Sequence, residues 1–314
     1  MKRLSIVIPC HDEEAALDAL FARLEALAKA APEVRFEVVC VNDGSADATL
    51  EGLRAAQERI GGLDVVVVDL SRNFGKEAAL SAGLAVAAGD AVIPMDADLQ
   101  HPPELIPRLV ASWKQGYEVV LAKRADCASD RWLRRLASSA FYRLHNAISD
   151  VVIPADVGDF RLMDRAVVDV INALPENRRF MKGIFAWAGF RTAVIEYEPG
   201  ARASGQSRFG TLTLWHLAIE GITSFSLIPL RISSYVGVVV ASLSFGYGLW
   251  ILVRTLLVGK DLPGYASIFT AVLFLGGLQL ICLGIIGEYL GRTYLEAKRR
   301  PAYVIRKTYR RGDG

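Results

Sequence analysis

Two carboxylates stand one residue apart in the run Asp96-Ala97-Asp98-Leu99-Gln100, directly after an apolar stretch. In extended backbone, residues i, i+2 and i+4 point the same way. Asp96, Asp98 and the Gln100 amide oxygen would then converge on one hard cation. Mg2+ suits such a set, because it takes oxygen ligands, keeps waters and typically shares its shell with substrate phosphates. The plainer alternative is an Asx turn with solvated acids. The position after a buried strand, with further acids and bases on the same edge, favours the metal. Asn42-Asp43-Gly44-Ser45-Ala46-Asp47 is a second polar turn. Its Asp43 carboxylate can accept hydrogen bonds from ribose hydroxyls or a base edge, or simply close a turn before a helix.

Other residues fit a phosphorylated substrate. Arg202 and Arg208 lie in the Gly/Ser-rich segment ARASGQSRFG, where a flexible loop can close over phosphates or its arginines can meet lipid headgroups. Arg131, Arg135 and Ser139 are spaced i, i+4, i+8 and share one helix face. That face suits an anionic headgroup or lipid phosphate, or it is a solvated basic face. His101 beside the paired acids is not needed as a base. A phosphate monoester has a second pKa near ~6, so at neutral pH it attacks largely as a dianion. Neither GxGxxG nor GxxxxGK[ST] occurs, so neither a dinucleotide fold nor a P-loop is indicated. The cysteines Cys10, Cys40, Cys127 and Cys282 are far apart and suggest neither a disulfide framework nor a zinc site.

The elements that must position these residues alternate between strand and helix patterns. Strands are expected at Leu4–Pro9, Phe36–Asn42, Asp64–Leu70, Ala91–Met95 and Glu118–Lys123. Helices are expected at Ala15–Ala30, from about Ala48, and from Lys76 to Ala88 with Gly89 as C-cap. The run VVVVD within the third strand reads as buried on both faces. Such alternation predicts an α/β, mostly parallel, Rossmann-like sheet, in which sites form at the carboxyl ends of the strands. All five expected ends are polar: His11-Asp12-Glu13, Asn42 to Ser45, Arg72 to Lys76, Asp96 to Gln100, and Lys123-Arg124.

The second half changes character. Mean hydropathy is +0.29, high for a soluble enzyme, and the excess lies in two runs without charge, Ile232 to Val253 and Tyr265 to Gly287. Each can form a helix of about 30 Å, enough to cross a bilayer. Cationic residues cluster after the second run, so the positive-inside rule places both termini in the cytoplasm. An amphipathic helix near 133–148 reads either as a surface helix packed on the sheet or as an interfacial helix near the bilayer, and a second near 211–228 as a juxtamembrane element. The N-terminus MKRLSIVIPCHDEE lacks the organisation of a signal peptide. A net charge of +2 gives no polyelectrolyte signal for nucleic acid.

Taken in order, VIPCHDEE, VNDGSADAT, SRNFGKEAAL, MDADLQHP, VGDFRLMD, RFMKG, RASGQSRF and the closing GEYLGRTYLEAKRRPAY resemble the polyprenyl-phosphate glycosyltransferases. These are membrane-attached inverting enzymes of family 2 with a GT-A fold. The resemblance is to the bactoprenol glucosyltransferase type of O-antigen modification, and more distantly to dolichyl-phosphate mannose synthases. It implies transfer of a hexose, glucose first, from a UDP-sugar to undecaprenyl phosphate. Asp96, Asp98 and Gln100 would hold Mg2+ or Mn2+ and the donor diphosphate. Pro9, His11, Glu13 and Asp43 would hold the nucleoside, with Lys76 on the donor side. Arg202 and Arg208 would clamp the diphosphate. Arg124, Arg135 and Ser139, with Arg131, would meet the acceptor phosphate. His11-Asp12 departs from the family's usual aromatic-Asn, Arg208 replaces a frequent lysine, and Ser139 is a position where relatives vary. The implied setting is the bacterial inner membrane, with a cytoplasmic catalytic domain (1–210), a helical hairpin (229–290) and a basic cytoplasmic tail (291–314). A homo-oligomer, taken as a tetramer, and a separate flippase complete the picture. Rival readings are another sugar on the same carrier (GlcNAc, galactose, mannose or an aminoarabinose), a processive synthase, or a membrane-anchored nucleotide-sugar-binding scaffold without turnover.

Overall fold

The computed structural model describes residues 2–124, 157–176, 179, 181–197, 228–258 and 264–311. Strands β1 (Lys2–Cys10), β2 (Val34–Asn42), β3 (Asp64–Leu70), β4 (Ala91–Pro94), β5 (Val119–Arg124), β6 (Val157–Asp164), β7 (Thr192–Tyr197) and β8 (Ile305–Tyr309) form one sheet in the order β7-β5-β6-β4-β1-β2-β3-β8. β1 pairs in parallel with β2 and β4, β2 with β3, and β5 with β7. β6 runs antiparallel between β4 and β5, and β8 antiparallel to β3. Two reversals across β6 leave β5 aligned with β4, so the carboxyl ends of β1 to β5 share one edge. The amino ends of β6 and β8 come to the same edge.

Helices cover both faces, as a mostly parallel sheet requires. Alternation along the strands sorts the side chains. Leu4, Ile6 and Ile8 face α1 (Leu17–Ala30), α2 (Thr49–Arg59) and α4 (Ile106–Lys114), while Val7, Val39 and Val66 face α3 (Lys76–Val86), α5 (Arg165–Ala173) and α6 (Met181–Trp187). The run Val65 to Val68 is buried on both sides, as its unbroken apolar character demands. The expected strand ends hold to within two residues. α3 ends earlier than expected, at Val86, and Gly89 does not cap it. The Gly89 N–H instead donates to Ser5 Oγ at 2.8 Å. A Cβ at Gly89 would lie 2.6 Å from Ser5 N, which is why this position excludes a side chain.

The edge opposite the polar strand ends is tied by charge. The Arg3 guanidinium reaches Glu37 and Asp64, each at 2.7 Å. The buried Glu37 also accepts from Ser5 Oγ and the Ala88 amide. This satisfies a carboxylate that would otherwise be costly inside the sheet.

After the α/β unit come α7 (Ile228–Val258) and α8 (Tyr265–Ala297). The stretches Leu230–Ile251 and Phe274–Ala297 are long and apolar enough to cross a membrane. Their apolar side chains, such as Leu243, Phe245, Leu256 and Leu280, stand exposed, the pattern of helices that meet lipid rather than a protein core. The second helix runs on to Ala297, about three turns beyond the expected end at 287. Residues 305–309, expected as part of a tail, are instead the eighth strand of the sheet. The helices expected near 133–148 and 211–228 lie outside the described residues.

Phe21 on α1 is 1% exposed within the first core layer. Phe21→Ala is expected to lower stability by about 3–5 kcal/mol, read from denaturant unfolding of the purified chain in detergent.

Candidate active site

β1, β2 and β3 end in three loops that are bonded to one another. The Asp43 carboxylate is buried and accepts from the Phe74 N–H at 2.7 Å and the Gly75 N–H at 2.9 Å. Its carbonyl accepts from His11 Nδ1 at 3.1 Å, and His11 Nε2 accepts from the Asn73 amide at 2.9 Å. A backbone carbonyl can only accept, so His11 Nδ1 is the donor in the first of these bonds. Asp12, at φ 54, places its carboxylate to accept from the Ala46 N–H at 2.8 Å, and the Glu13 N–H donates to Thr49 Oγ1 at 2.9 Å. Gly44 shows how close these loops lie. Its φ is +63, and a Cβ there would sit 2.4 Å from both Arg72 C and Asn73 N. Only glycine has both the left-handed freedom and the missing side chain that this crossing needs.

β4 leads into the paired acids, but not in extended form. Residues 97–98 form a turn, Leu99 takes φ 60, and the Gln100 N–H donates to Asp98 Oδ1 at 3.0 Å. The expectation of an extended i, i+2, i+4 array is therefore corrected: an Asx turn presents Asp96 and Asp98, and the left-handed Leu99 breaks the alternation before Gln100. Asp96 and Asp98 still lie half-buried beyond the end of a central strand. Gln100 Nε2 is buried without a hydrogen-bond partner.

Lys76, the first residue of α3, bridges this turn to β6. Its Nζ lies 2.6 Å from Asp96 Oδ1 and 2.9 Å from Asp159 Oδ2. Burial alone would lower the Lys76 pKa, but the two carboxylates outweigh it and hold the ammonium well above its usual range. His101 is buried and stacks on Phe160 at 5.0 Å, and its Nδ1 accepts from the Asp96 N–H at 3.3 Å. Burial pushes its pKa below the usual value, so it is neutral at pH 7. His101 supports the turn rather than serving as a base.

The structure thus brings Pro9, His11, Glu13, Asp43, Lys76, Asp96, Asp98 and Gln100 to one edge. Arg124 closes β5 opposite Tyr197 of β7, at the same edge. Arg131, Arg135, Ser139, Arg202 and Arg208 lie outside the described residues. Asp159 is the residue that sequence reasoning missed. The segment VGDFRLMD was noticed, but only its place as a strand between β4 and β5 sets Asp159 against Lys76. Among the described residues no cluster of three His, Cys, Asp or Glu side chains surrounds a metal position. The donor set is two hard carboxylates, which fits Mg2+ or Mn2+ completed by water and phosphate oxygens and does not fit a closed protein cage.

A mostly parallel α/β sheet thus gathers carboxylates and a lysine at its carboxyl edge, where sites in such folds form. Residues 5–171 match glycosyl transferase family 2, and residues 228–293 match the GtrB C-terminal hairpin. The chain belongs to glycosyl transferase family 2, is a glycosyltransferase of the GT-A fold, and carries its two apolar helices as a membrane-associating hairpin. Related chains match over nearly the whole length. A bactoprenol glucosyl transferase derived from the SfII prophage of Shigella flexneri is 48% identical over 98% of this chain and 99% of its own. A prophage bactoprenol glucosyl transferase homolog of Escherichia coli K12 is 47% identical over 97% and 99%. An uncharacterized glycosyltransferase of Synechocystis is 48% identical over 96% and 94%.

Gly44→Ala is expected to cost about 2–5 kcal/mol, from left-handed strain plus the clash with the β3–α3 loop. Chemical denaturation, with Gly61→Ala in open space as the control, checks it.

Proposed function

We propose that this chain moves glucose from UDP-glucose to undecaprenyl phosphate at the cytoplasmic face of the bacterial inner membrane, with inversion at the anomeric carbon. The observation that carries this reading is the near-full-length relation, hairpin included, to proteins named bactoprenol glucosyl transferases. The site chemistry agrees with it. His11, Asn73 and the loops ending β1 to β3 would receive the nucleoside, with Pro9 and Glu13 beside them. Asp43 acts there chiefly by holding the β3–α3 loop in place, since its carboxylate already accepts two backbone N–H groups.

Asp96 and Asp98 would hold Mg2+ or Mn2+ against the diphosphate, and Gln100 would lend its amide nearby. A divalent ion bound there supplies Lewis-acid stabilisation of the charge that develops on the leaving UDP. Lys76 holds Asp96 in position and brings a permanent positive charge to the diphosphate side. Arg202 and Arg208 would add charge over the phosphates. Arg124, Arg131, Arg135 and Ser139 would orient the acceptor phosphate. An acceptor oxygen attacks C1, the bond from C1 to the UDP β-phosphate oxygen breaks, and its electron pair leaves with UDP. The acceptor is already deprotonated, so no side chain need act as base, in keeping with a neutral His101 whose Nδ1 is engaged.

β8 supports the orientation. A strand that follows the hairpin and pairs with the catalytic sheet requires both ends of the hairpin to lie on the catalytic side. This matches the positive-inside reading of two crossings with both termini cytoplasmic. Gly276, Gly277 and Gly284 have open space above them, where small residues let helices of other copies approach, as a homo-oligomer would use. The product sugar would need a separate flippase to reach the far face.

The test uses purified protein, undecaprenyl phosphate, Mn2+ or Mg2+ and a panel of radiolabelled UDP-sugars, counting label that partitions into organic solvent. Label is expected from UDP-glucose alone. Chelator should abolish it, and Asp98→Asn should lower it at least ~100-fold, the scale of several kcal/mol of lost charge stabilisation. Label from another sugar instead would overturn glucose. No label from any donor would overturn the transferase reading in favour of a binding scaffold.

A further inference from the structure

The chain returns from α8 to complete the nucleotide side of the site. β8 lies against β3, with Tyr309 opposite Val67, Lys307 opposite Asp69 and Ile305 opposite Leu70. Arg306 is the extra residue of the bulge between those last two pairs. A bulge re-aims one side chain out of the ladder. Here it sends the Arg306 guanidinium over the end of β3, where Nη2 donates to the Ser71 carbonyl at 2.8 Å and Nη1 lies 3.5 Å from Asp69 Oδ2.

Asp69 is 2% exposed, and Arg306 is the cation that faces it. The other carboxylate oxygen accepts from Asn42 Nδ2 at 2.8 Å, and Asn42 Oδ1 accepts from the Ser45 N–H at 3.3 Å. The next residues on either loop carry the Asp43 bonds to Phe74 and Gly75 and the Asn73 bond to His11. One bonded path therefore runs from Arg306 through Asp69 and Asn42 into the β2–α2 loop. A second runs through the Ser71 carbonyl into the β3–α3 loop. The Val304 carbonyl also accepts from the Ser71 N–H at 2.9 Å, and Tyr303 and Phe74 both pack against the second core layer. A buried carboxylate stripped of a facing cation is strongly disfavoured, so this corner draws support from Arg306.

We propose that Arg306 is a positioning residue for donor binding: β8, delivered by the membrane hairpin, locks the two loops that receive the nucleoside diphosphate. This rests on the reading that the ends of β1 to β3 hold the donor. Arg306 would touch no substrate and would act through Asp69 and Ser71.

The side chain is 62% exposed, so its truncation removes little packing. Arg311 serves as the control, because it anchors the other end of β8 by donating to the Ile60 and Glu58 carbonyls, away from the site. The experiment measures UDP dissociation constants by calorimetry with Mn2+ present, and donor and acceptor KM in the transfer assay, using the full chain in nanodiscs. Arg306→Ala is expected to weaken UDP and raise donor KM at least tenfold, with acceptor KM within twofold of wild type. Arg306→Lys should recover most of the affinity, and Arg311→Ala should bind UDP as wild type does. Unchanged UDP affinity in Arg306→Ala, or equal losses in Arg306→Ala and Arg311→Ala, would overturn the inference. A wild-type chain that binds no UDP would overturn the donor-site reading itself, and this inference with it.

Discussion

The acidic turn at the carboxyl edge of this sheet depends on one ammonium held between two carboxylates. Asp96 at the end of β4 and Asp159 at the start of β6 belong to antiparallel neighbours, and their side chains converge on the same space. Unneutralised, they would repel and desolvate one another. The Lys76 Nζ sits within 2.9 Å of both and turns a repulsive pair into a charge-assisted network. The lysine is fixed by being the first residue of α3, whose following turns pack into the second core layer through Ala79, Leu80 and Ala82. Sheet, helix and site charge are thus coupled through one residue. The Asx turn at Asp98 and the stacked His101 then hold the second acid beside the first.

The same economy governs the ends of β1 to β3. Backbone N–H groups of the β3–α3 loop terminate on Asp43, and Gly44 lets the loops cross at contact distance. This region is built almost wholly from local polar bonds on a rigid parallel core, the usual division of labour between scaffold and site. The membrane hairpin is not a passive anchor in this arrangement. Its second helix delivers β8 to the exposed edge of β3, which covers a strand edge that would otherwise be a pairing hazard and joins the bilayer-bound part of the chain to the catalytic sheet.

Much of this was legible in the sequence, for a physical reason. Parallel strands buried on both faces must be continuously apolar, so β1 to β5 stood out, and the polar residues that closed each of them marked one edge. Asp96, Asp98 and Lys76 were legible as members of that edge. What could not be read was non-local. VGDFRLMD mixes charge with apolar residues because β6 buries Arg161 over Phe185, so its pattern is not that of a plain strand, and Asp159 gains its meaning only from the antiparallel insertion. The strand IRKTY is a partly exposed edge strand and reads as a basic tail. Leu99 gives no hint of its left-handed backbone, since that conformation is usually signalled by glycine or asparagine, and so the paired acids were expected in extended form.

The central claim is that Asp96 and Asp98 form a divalent-metal site completed by a nucleoside diphosphate. Electron paramagnetic resonance of Mn2+ tests it directly, by following the free-ion signal as UDP is added to the wild-type chain and to Asp96→Asn and Asp98→Asn. The account predicts a loss of free Mn2+ that needs both protein and UDP, saturates at one ion per chain, and is absent in either variant. Equal loss of signal in wild type and both variants, or none in wild type at saturating UDP, would contradict it.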